Sequence, residues 1–263
     1  MLEKRGVETA LLGGIANRGQ VVRVGNTVRR PQRPTSPATH ALLRHLADAG
    51  FDGAPRVLGI DEVGREVLSF VPGTAITQPY PPWALTDDAL ESVAQLLRAF
   101  HAAVGTFDAR SHQWPSSPPA PFAGELVSHN DLNLDNVVFR NGRAVALIDF
   151  DLASPGSRVW DVACAVRLWA PLRPATYVDD ARRGRELARL RLFVDSYGLD
   201  AEDRTRLVTA IQHNHEWSYD IVGTAARLGH AGFSEYWDSA RERAERTRQW
   251  YEDNADLLRA TLR

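Results

Sequence analysis

Residues 129–151 read HNDLNLDNVVFRNGRAVALIDFD, and the order of polar side chains in this stretch decides how the chain is read. His129 and Asp131, with Asn136 five residues after the aspartate, put an acid and an amide on one short loop. An aliphatic run from Ala144 to Ile148 then reads as a strand that delivers Asp149, and the Asn141-Gly142 pair before it marks a hairpin turn. The loop thus carries a carboxylate, Asp131, able to orient a hydroxyl and take its proton. The hairpin returns the chain so that two hard oxygen ligands, Asn136 and Asp149, can share a magnesium ion with phosphate.

Outward from this segment, composition narrows the possible roles. The 263 residues are 44% hydrophobic and 24% charged, ordinary for a globular protein. The net charge of −2 supplies no basic surplus for nucleic acid or an anionic membrane. Cys164 is the one cysteine, so neither an internal disulfide nor a cysteine-based zinc site is available. The N-terminal residues lack the apolar core of a secretory signal, and no stretch approaches the ~20 apolar residues of a membrane span. A cytoplasmic monomer or small homo-oligomer is expected. Lys4 is the single lysine among 31 basic residues, so any interior cation that meets phosphate is an arginine.

The first 75 residues read as strands, one helix, then strands. Strands are expected at Val7 to Leu12, Gln20 to Val24 and Thr27 to Arg30, with the turn-forming run GGIANRG between the first two. Ser36 as N-cap and Pro37 as first helical residue open a helix to Ala49 that buries Leu42, Leu43 and Leu46. Arg56 to Ile60 and Arg65 to Val71 form two more strands around the turn DEVG. Residues 72–85 are a proline-rich connector and a candidate hinge. Thr86 opens a helix with Leu90, Val93, Leu97 and Phe100 on one face. After residue 158 the chain reads as helical, near 160–170, 180–197, 201–228 and 233–260, with Gly198 and Gly229 as stops. The fold class is α+β, with a β-rich lobe at 1–75 and a larger, mainly helical lobe at 76–263.

The 129–163 segment resembles the aminoglycoside phosphotransferase and choline kinase group of small-molecule kinases, which carry H-G-D-x-x-x-x-N, then I-D-F/W, then D-x-A on a helix. Here Asn130 replaces the glycine, and Trp160-Asp161-Val162-Ala163 supplies the last motif. The resemblance implies a bilobal protein-kinase-like fold and transfer of a phosphoryl group from ATP or GTP, with Mg2+, to a hydroxyl of a small molecule. It implies catalytic roles for Asp131, Asn136 and Asp149, metal binding by Asn136 and Asp149, and a structural role for Asp161 in steadying the loop. It makes His129 a loop organiser. On the nucleotide side it points to Gly14 and Asn17 of GGIANRG, to backbone groups at Ser69 and Val71, and to a basic residue of TVRRP, Arg29 or alternatively Arg30. It also calls for a glutamate near Thr39 to pair with that cation, and the helix 37–49 has none. Asp151 is read as a loop cap or an outer contact to the metal.

The acceptor is less legible. Glu216 and Asp220 share a helix face near Trp217, Tyr219, Tyr236 and Trp237, with Glu235 and Asp238 close in sequence. That grouping suits either an amine-bearing acceptor or an ordinary solvated helix face. Residues 150–263 hold 18 acids and 17 arginines, so no net negative field favours a strongly cationic substrate. The missing lysine–glutamate pair leaves a competing reading, a catalytically weak nucleotide-binding or regulatory protein on the same fold.

Overall fold

A computed structural model describes residues 7–11, 19–230 and 232–263. Five antiparallel strands form the N-terminal sheet: β1 (Glu8–Ala10), β2 (Val22–Val24), β3 (Thr27–Pro31), β4 (Val57–Ile60) and β5 (Arg65–Ser69), in the order β1-β2-β3-β5-β4. Helix α1 (Ser36–Asp48) connects β3 to β4 and buries Leu42, Leu43 and Leu46. Thr35, one residue earlier than expected, is its N-cap, and the Ser36 hydroxyl instead accepts a hydrogen bond from the Arg33 N–H. The β3–β5 register sets Arg30 directly opposite Glu66. Because side chains alternate faces along a strand, Arg29 and Arg30 necessarily point to opposite sides of this sheet.

The connector is shorter than a hinge over 70–85 would be. Thr74–Ala75 form strand β6, which pairs with β8 (Val137–Arg140), and β8 in turn pairs with β9 (Arg143–Leu147). Gly73, at φ 149°, lies so close to β8 that a Cβ would fall 2.5 Å from Val138 Cγ1. The β8–β9 turn is Asn141-Gly142 with φ of 52° and 75°, the left-handed pair that a two-residue hairpin requires.

Helix α2 (Asp87–Ala103) starts at Thr86, whose hydroxyl accepts from the Ala89 N–H. Leu90, Val93, Leu97 and Phe100 lie on its fully buried face. A short ladder of β7 (Leu126–Ser128) with β10 (Ser154–Gly156) brackets the 129–151 segment. Four helices follow: α3 (Arg158–Trp169), α4 (Glu186–Tyr197), α5 (Ala201–Arg227) and α6 (Phe233–Thr261). Helix α4 begins six residues later than its expected start at 180. Arg182 there folds back on Asp180 and donates to the Leu168 carbonyl, spending on a loop what a helix would use. One continuous apolar core runs from the α1 leucines to Tyr251 and Leu258 of α6. No described helix is long and apolar enough to cross a membrane.

His215 of α5 packs on Tyr251 of α6, with ring centroids 5.3 Å apart, and its Nε2 donates to the Ala244 carbonyl. Its Nδ1 is buried without a partner. Burial, then the Arg167 charge, lowers its pKa to about 4, against the bond to Ala244. The unfolded chain therefore binds a proton that the fold rejects between pH ~6.5 and ~4. Stability is expected to be unaffected by this group above pH ~6.5 and to fall by about 3 kcal/mol as pH drops through that window. Urea unfolding of wild type against His215→Gln across pH 4–7 checks this: the variant should show a clearly shallower loss, and equal slopes would exclude the assignment.

Candidate active site

The loop between β7 and β8 is held from beneath by a buried carboxylate. Asp161, on the first turn of α3, accepts the backbone N–H of His129 at 2.7 Å and of Asn130 at 2.9 Å, and His101 Nε2 donates to it at 3.0 Å. Burial works against its ionisation, but the His101 hydrogen bond and charge with the loop N–H groups hold its pKa below the ordinary value. His101 passes the order on: its Nδ1 is hydrogen-bonded to the Tyr197 hydroxyl at 2.7 Å.

His129 ties the loop to the strand that carries Asp149. Its Nε2 donates to the Ile148 carbonyl at 3.1 Å, and its Nδ1 accepts the Asp131 N–H at 3.3 Å. Complete burial lowers its pKa, so the ring stays neutral and serves as a brace. The Ile148 N–H also donates to the Asn136 carbonyl at 2.9 Å. Asp131, Asn136 and Asp149 are thereby brought to one place by bonds at both edges of the hairpin.

Asn136 donates through Nδ2 to the Asp131 carbonyl at 2.8 Å and to Asp131 Oδ2 at 3.0 Å. Its amide donors are spent on the neighbour, which leaves Oδ1 as the atom it can offer a cation. Asp131 Oδ1 accepts from Asn133 Nδ2 at 2.6 Å. Burial, followed by the charges of Asp149 and Asp135, pushes the Asp131 carboxyl up to about 8, an environment that makes it an avid proton acceptor. Asp149 sits at φ 61° in the left-handed region, and burial and Asp151 raise its pKa while Arg30 opposes them. Hard oxygens from Asn136 and Asp149 are the donor set a magnesium ion prefers.

The cation that the sequence points to on the TVRRP strand is placed differently from the expectation. Arg30, not Arg29, faces the cluster: its Nη1 donates to Asp149 Oδ1 at 2.9 Å, its Nη2 meets Asp151 Oδ1 at 2.7 Å, and its Nε donates to Glu66 Oε1. Arg29 lies on the opposite face, 3.6 Å from Asp61. The carboxylate absent from the helix near Thr39 comes from strand β5: Glu66, 1% exposed, also bonds His40 Nε2 of α1. A helix glutamate is thus replaced by a helix histidine and a strand glutamate, a rearrangement visible only once the β3–β5 register is known. Asp151 pairs with Arg30 and with Arg33 at 2.9 Å. Ser69 and Val71 stand at the end of β5, where the Ser69 N–H is taken by the Arg56 carbonyl and the Phe70 N–H by Asn26. No bond joins them to the Asp131 cluster. Gly14 and Asn17 lie outside the described residues.

Asn130 stands at φ 66° where the motif usually has glycine. Asparagine tolerates this region better than most residues. Its side chain exploits the position: Nδ2 donates to the Leu152 carbonyl and Ser154 Oγ, and Oδ1 accepts the Trp160 indole N–H at 3.0 Å. The acids proposed for an amine site, Glu216, Asp220, Glu235 and Asp238, are all solvent-exposed. Asp220 is 3.9 Å from Arg227, an exposed surface pair.

A model of the phosphotransferase enzyme family matches residues 113–193. The trifolitoxin immunity protein of Rhizobium leguminosarum bv. trifolii is 33% identical over 224 residues, 79% of this chain and 82% of that protein. A choline/ethanolamine kinase family protein from Mesorhizobium loti superposes with TM-score 0.64 at 16% identity, covering 98% of this chain and 92% of that one. Choline kinase from Cryptosporidium parvum gives 0.62 at 12% identity, covering 98% and 92%. The ADP-bound aminoglycoside phosphotransferase APH(2'')-Ib gives 0.55 at 13% identity, covering 94% and 93%. The fold is therefore kinase-like, a sheet-rich region joined to a larger helical one.

Asn130→Gly should destabilise the chain by about 1–3 kcal/mol, because Trp160 Nε1 is left buried without an acceptor. Asn130→Ala should cost about 1 kcal/mol more, since alanine also resists the left-handed conformation. Guanidinium unfolding measures both, and a glycine variant as stable as wild type would show that these side-chain bonds contribute nothing net.

Proposed function

Since the chain belongs to the phosphotransferase enzyme family, we propose that it transfers the γ-phosphoryl group of ATP or GTP to a hydroxyl of a small-molecule acceptor. The observation that carries this reading is the convergence of Asp131, Asn136 and Asp149 on one hairpin edge, with Arg30 bonded to Asp149. In this reading residues 1–75 hold the nucleotide and 76–263 hold the acceptor. Asp131 accepts the hydroxyl proton as the acceptor oxygen bonds to phosphorus. The bond from phosphorus to the β–γ bridging oxygen breaks, and the nucleoside diphosphate leaves with those electrons. Magnesium, held by Asn136 Oδ1 and the Asp149 carboxylate, would screen the phosphate charge. Arg30 offers a planar fork to the phosphates, and Glu66 with His40 fixes its direction.

The alternative of a catalytically weak binding protein rested on the missing cation–glutamate pair, and Arg30–Glu66 supplies that pair. The name of the immunity relative suggests a toxic molecule as one possible class of acceptor.

Asp131→Ala should lower kcat at least ~100-fold with the fold intact, as expected for loss of a positioned base. Coupled release of nucleoside diphosphate measures it, and turnover like wild type would remove Asp131 from the chemical step. Glu66→Gln should raise the KM for nucleotide by roughly tenfold, about 1.4 kcal/mol, more than it lowers kcat. An unchanged nucleotide KM would mean Arg30 needs no carboxylate to hold its direction.

A further inference from the structure

Next to the catalytic loop lies a group of arginines with no acid to match them. Trp169, the last residue of α3, donates its indole N–H to the carbonyl of Leu132, one residue after Asp131. Arg173 follows four residues later. Arg167, half a turn before Trp169, donates to Asn214 Oδ1 at 3.2 Å and Ser218 Oγ at 3.0 Å on α5. Arg243 of α6 reaches the Tyr236 hydroxyl at 3.3 Å. Among the described residues, no carboxylate makes a salt bridge with Arg167, Arg173 or Arg243, and Arg173 has no hydrogen-bond partner at all. By contrast, Arg30 meets Asp149 and Asp151, and Arg182 meets Asp180.

Buried polar atoms without partners gather at the same place. Three are donors, the Tyr251 hydroxyl, Asn214 Nδ2 and Arg243 Nε; the fourth, His215 Nδ1, is an acceptor because the ring proton sits on Nε2. Tyr251 is 1% exposed and Asn214 fully buried. Arg167 bonds Asn214, and the next residue, His215, packs its ring 5.3 Å from that of Tyr251, so Arg167, Asn214 and Tyr251 meet between α3, α5 and α6; the charges of Arg167 and Arg173 both act on Tyr251 and His215. Unmatched buried donors are rare because each costs its desolvation energy, so several together mark a place where a polar ligand completes the bonding. With the charge on the protein side positive, that ligand is an anion.

We propose that the acceptor carries a carboxylate or phosphate-monoester group, held by Arg173 and Arg167 with Tyr251 and Asn214, which presents its hydroxyl to Asp131. This deepens the phosphotransferase reading and rests on it for the role of Asp131. The arginines stand beside the loop because Trp169, which lies between Arg167 and Arg173 in the chain, donates to the Leu132 carbonyl at 3.0 Å. Burial and the neighbouring guanidiniums of Arg182 and Arg167 lower the Arg173 pKa, a cost that a bound anion removes. A planar guanidinium suits both carboxylate and phosphate with paired bonds. An amine-rich acceptor would meet guanidinium charge at this anchoring end, which separates this site from one built for a polycation.

The test uses four hydroxyl compounds of similar size: glycerate, glycerol phosphate, glyceramide and serinol. Each is assayed with the intact chain, magnesium and ATP or GTP for acceptor-dependent diphosphate release, and without nucleotide for its shift of the thermal unfolding midpoint. Glycerate or glycerol phosphate should raise the midpoint and be favoured over glyceramide and serinol by roughly tenfold or more, the worth of one charge-assisted hydrogen-bond pair. Which of the two anions leads identifies carboxylate or phosphate as the group bound. Arg173→Gln should erase the preference and Arg173→Lys retain part of it; the lysine variant and the wild-type ratios decide the matter if the glutamine variant does not fold. A preference for serinol, or no midpoint shift with either anion, overturns the anionic acceptor while leaving phosphoryl transfer standing. Anion binding lost in Arg173→Gln, with no transfer to any acceptor, keeps the anion site and overturns the kinase reading instead.

Discussion

The site depends on one buried negative charge. Asp161 sits at 0% exposure at the start of α3, and its carboxylate is made tolerable by two loop N–H groups and by His101. The bargain is mutual: the loop amides have no other partner at that turn, and the charge has no water. A carboxylate compensated this completely fixes direction as well as energy. It determines where His129 and Asn130 leave β7, and so where Asp131 points. His129 then transmits the position to Ile148, and thereby to Asp149. Tyr197 and α4 support the arrangement from behind through His101.

A second network joins the sheet to this loop through charge. Arg30 touches Glu66 of its own sheet and Asp149 and Asp151 of the hairpin, while Arg33 adds a bond to Asp151. Three carboxylates around one guanidinium would repel one another without it, and they hold its proton more firmly than usual despite burial. The same guanidinium is therefore a structural tie and, in the proposed reaction, the cation that would meet phosphate. Arginine suits this double use because its fork can serve two partners at once and its charge does not depend on pH in the working range.

Much of this was legible in the sequence, and the reasons are specific. Asp131, Asn136 and Asp149 lie within 19 residues of one another on a loop and a tight hairpin, so local spacing nearly determines their meeting. Helix α2 announced itself by its apolar period and by its cap, Thr86. What could not be read were contacts that need a register. Arg30 and Glu66 are 36 residues apart and face one another only because β5 inserts between β3 and β4. Even so, alternation alone showed that Arg29 and Arg30 must part company; the side each took depended on which face of the sheet the hairpin covers. The acids of α5 and α6 misled for the opposite reason: their spacing is that of a helix face, and a face seen without its neighbours does not say whether it looks at solvent or at a substrate. The arginines that do line that side, Arg167, Arg173 and Arg243, come from three segments that share no pattern.

The pairing of β6 with β8 also has a mechanical side. Because Thr74 and Ala75 are already bonded to the hairpin, Gly73 is pressed against it and the Phe70 N–H is held by the Asn26 carbonyl, the chain without backbone pairing between the two sheets shrinks to Val71 and Pro72. Proline locks one of the few torsions left there. Such a junction behaves as a stiff pivot with a short lever arm, not as a tether. Opening and closing of the cleft would then follow a narrow arc, along which Arg30 returns to the same carboxylates each time.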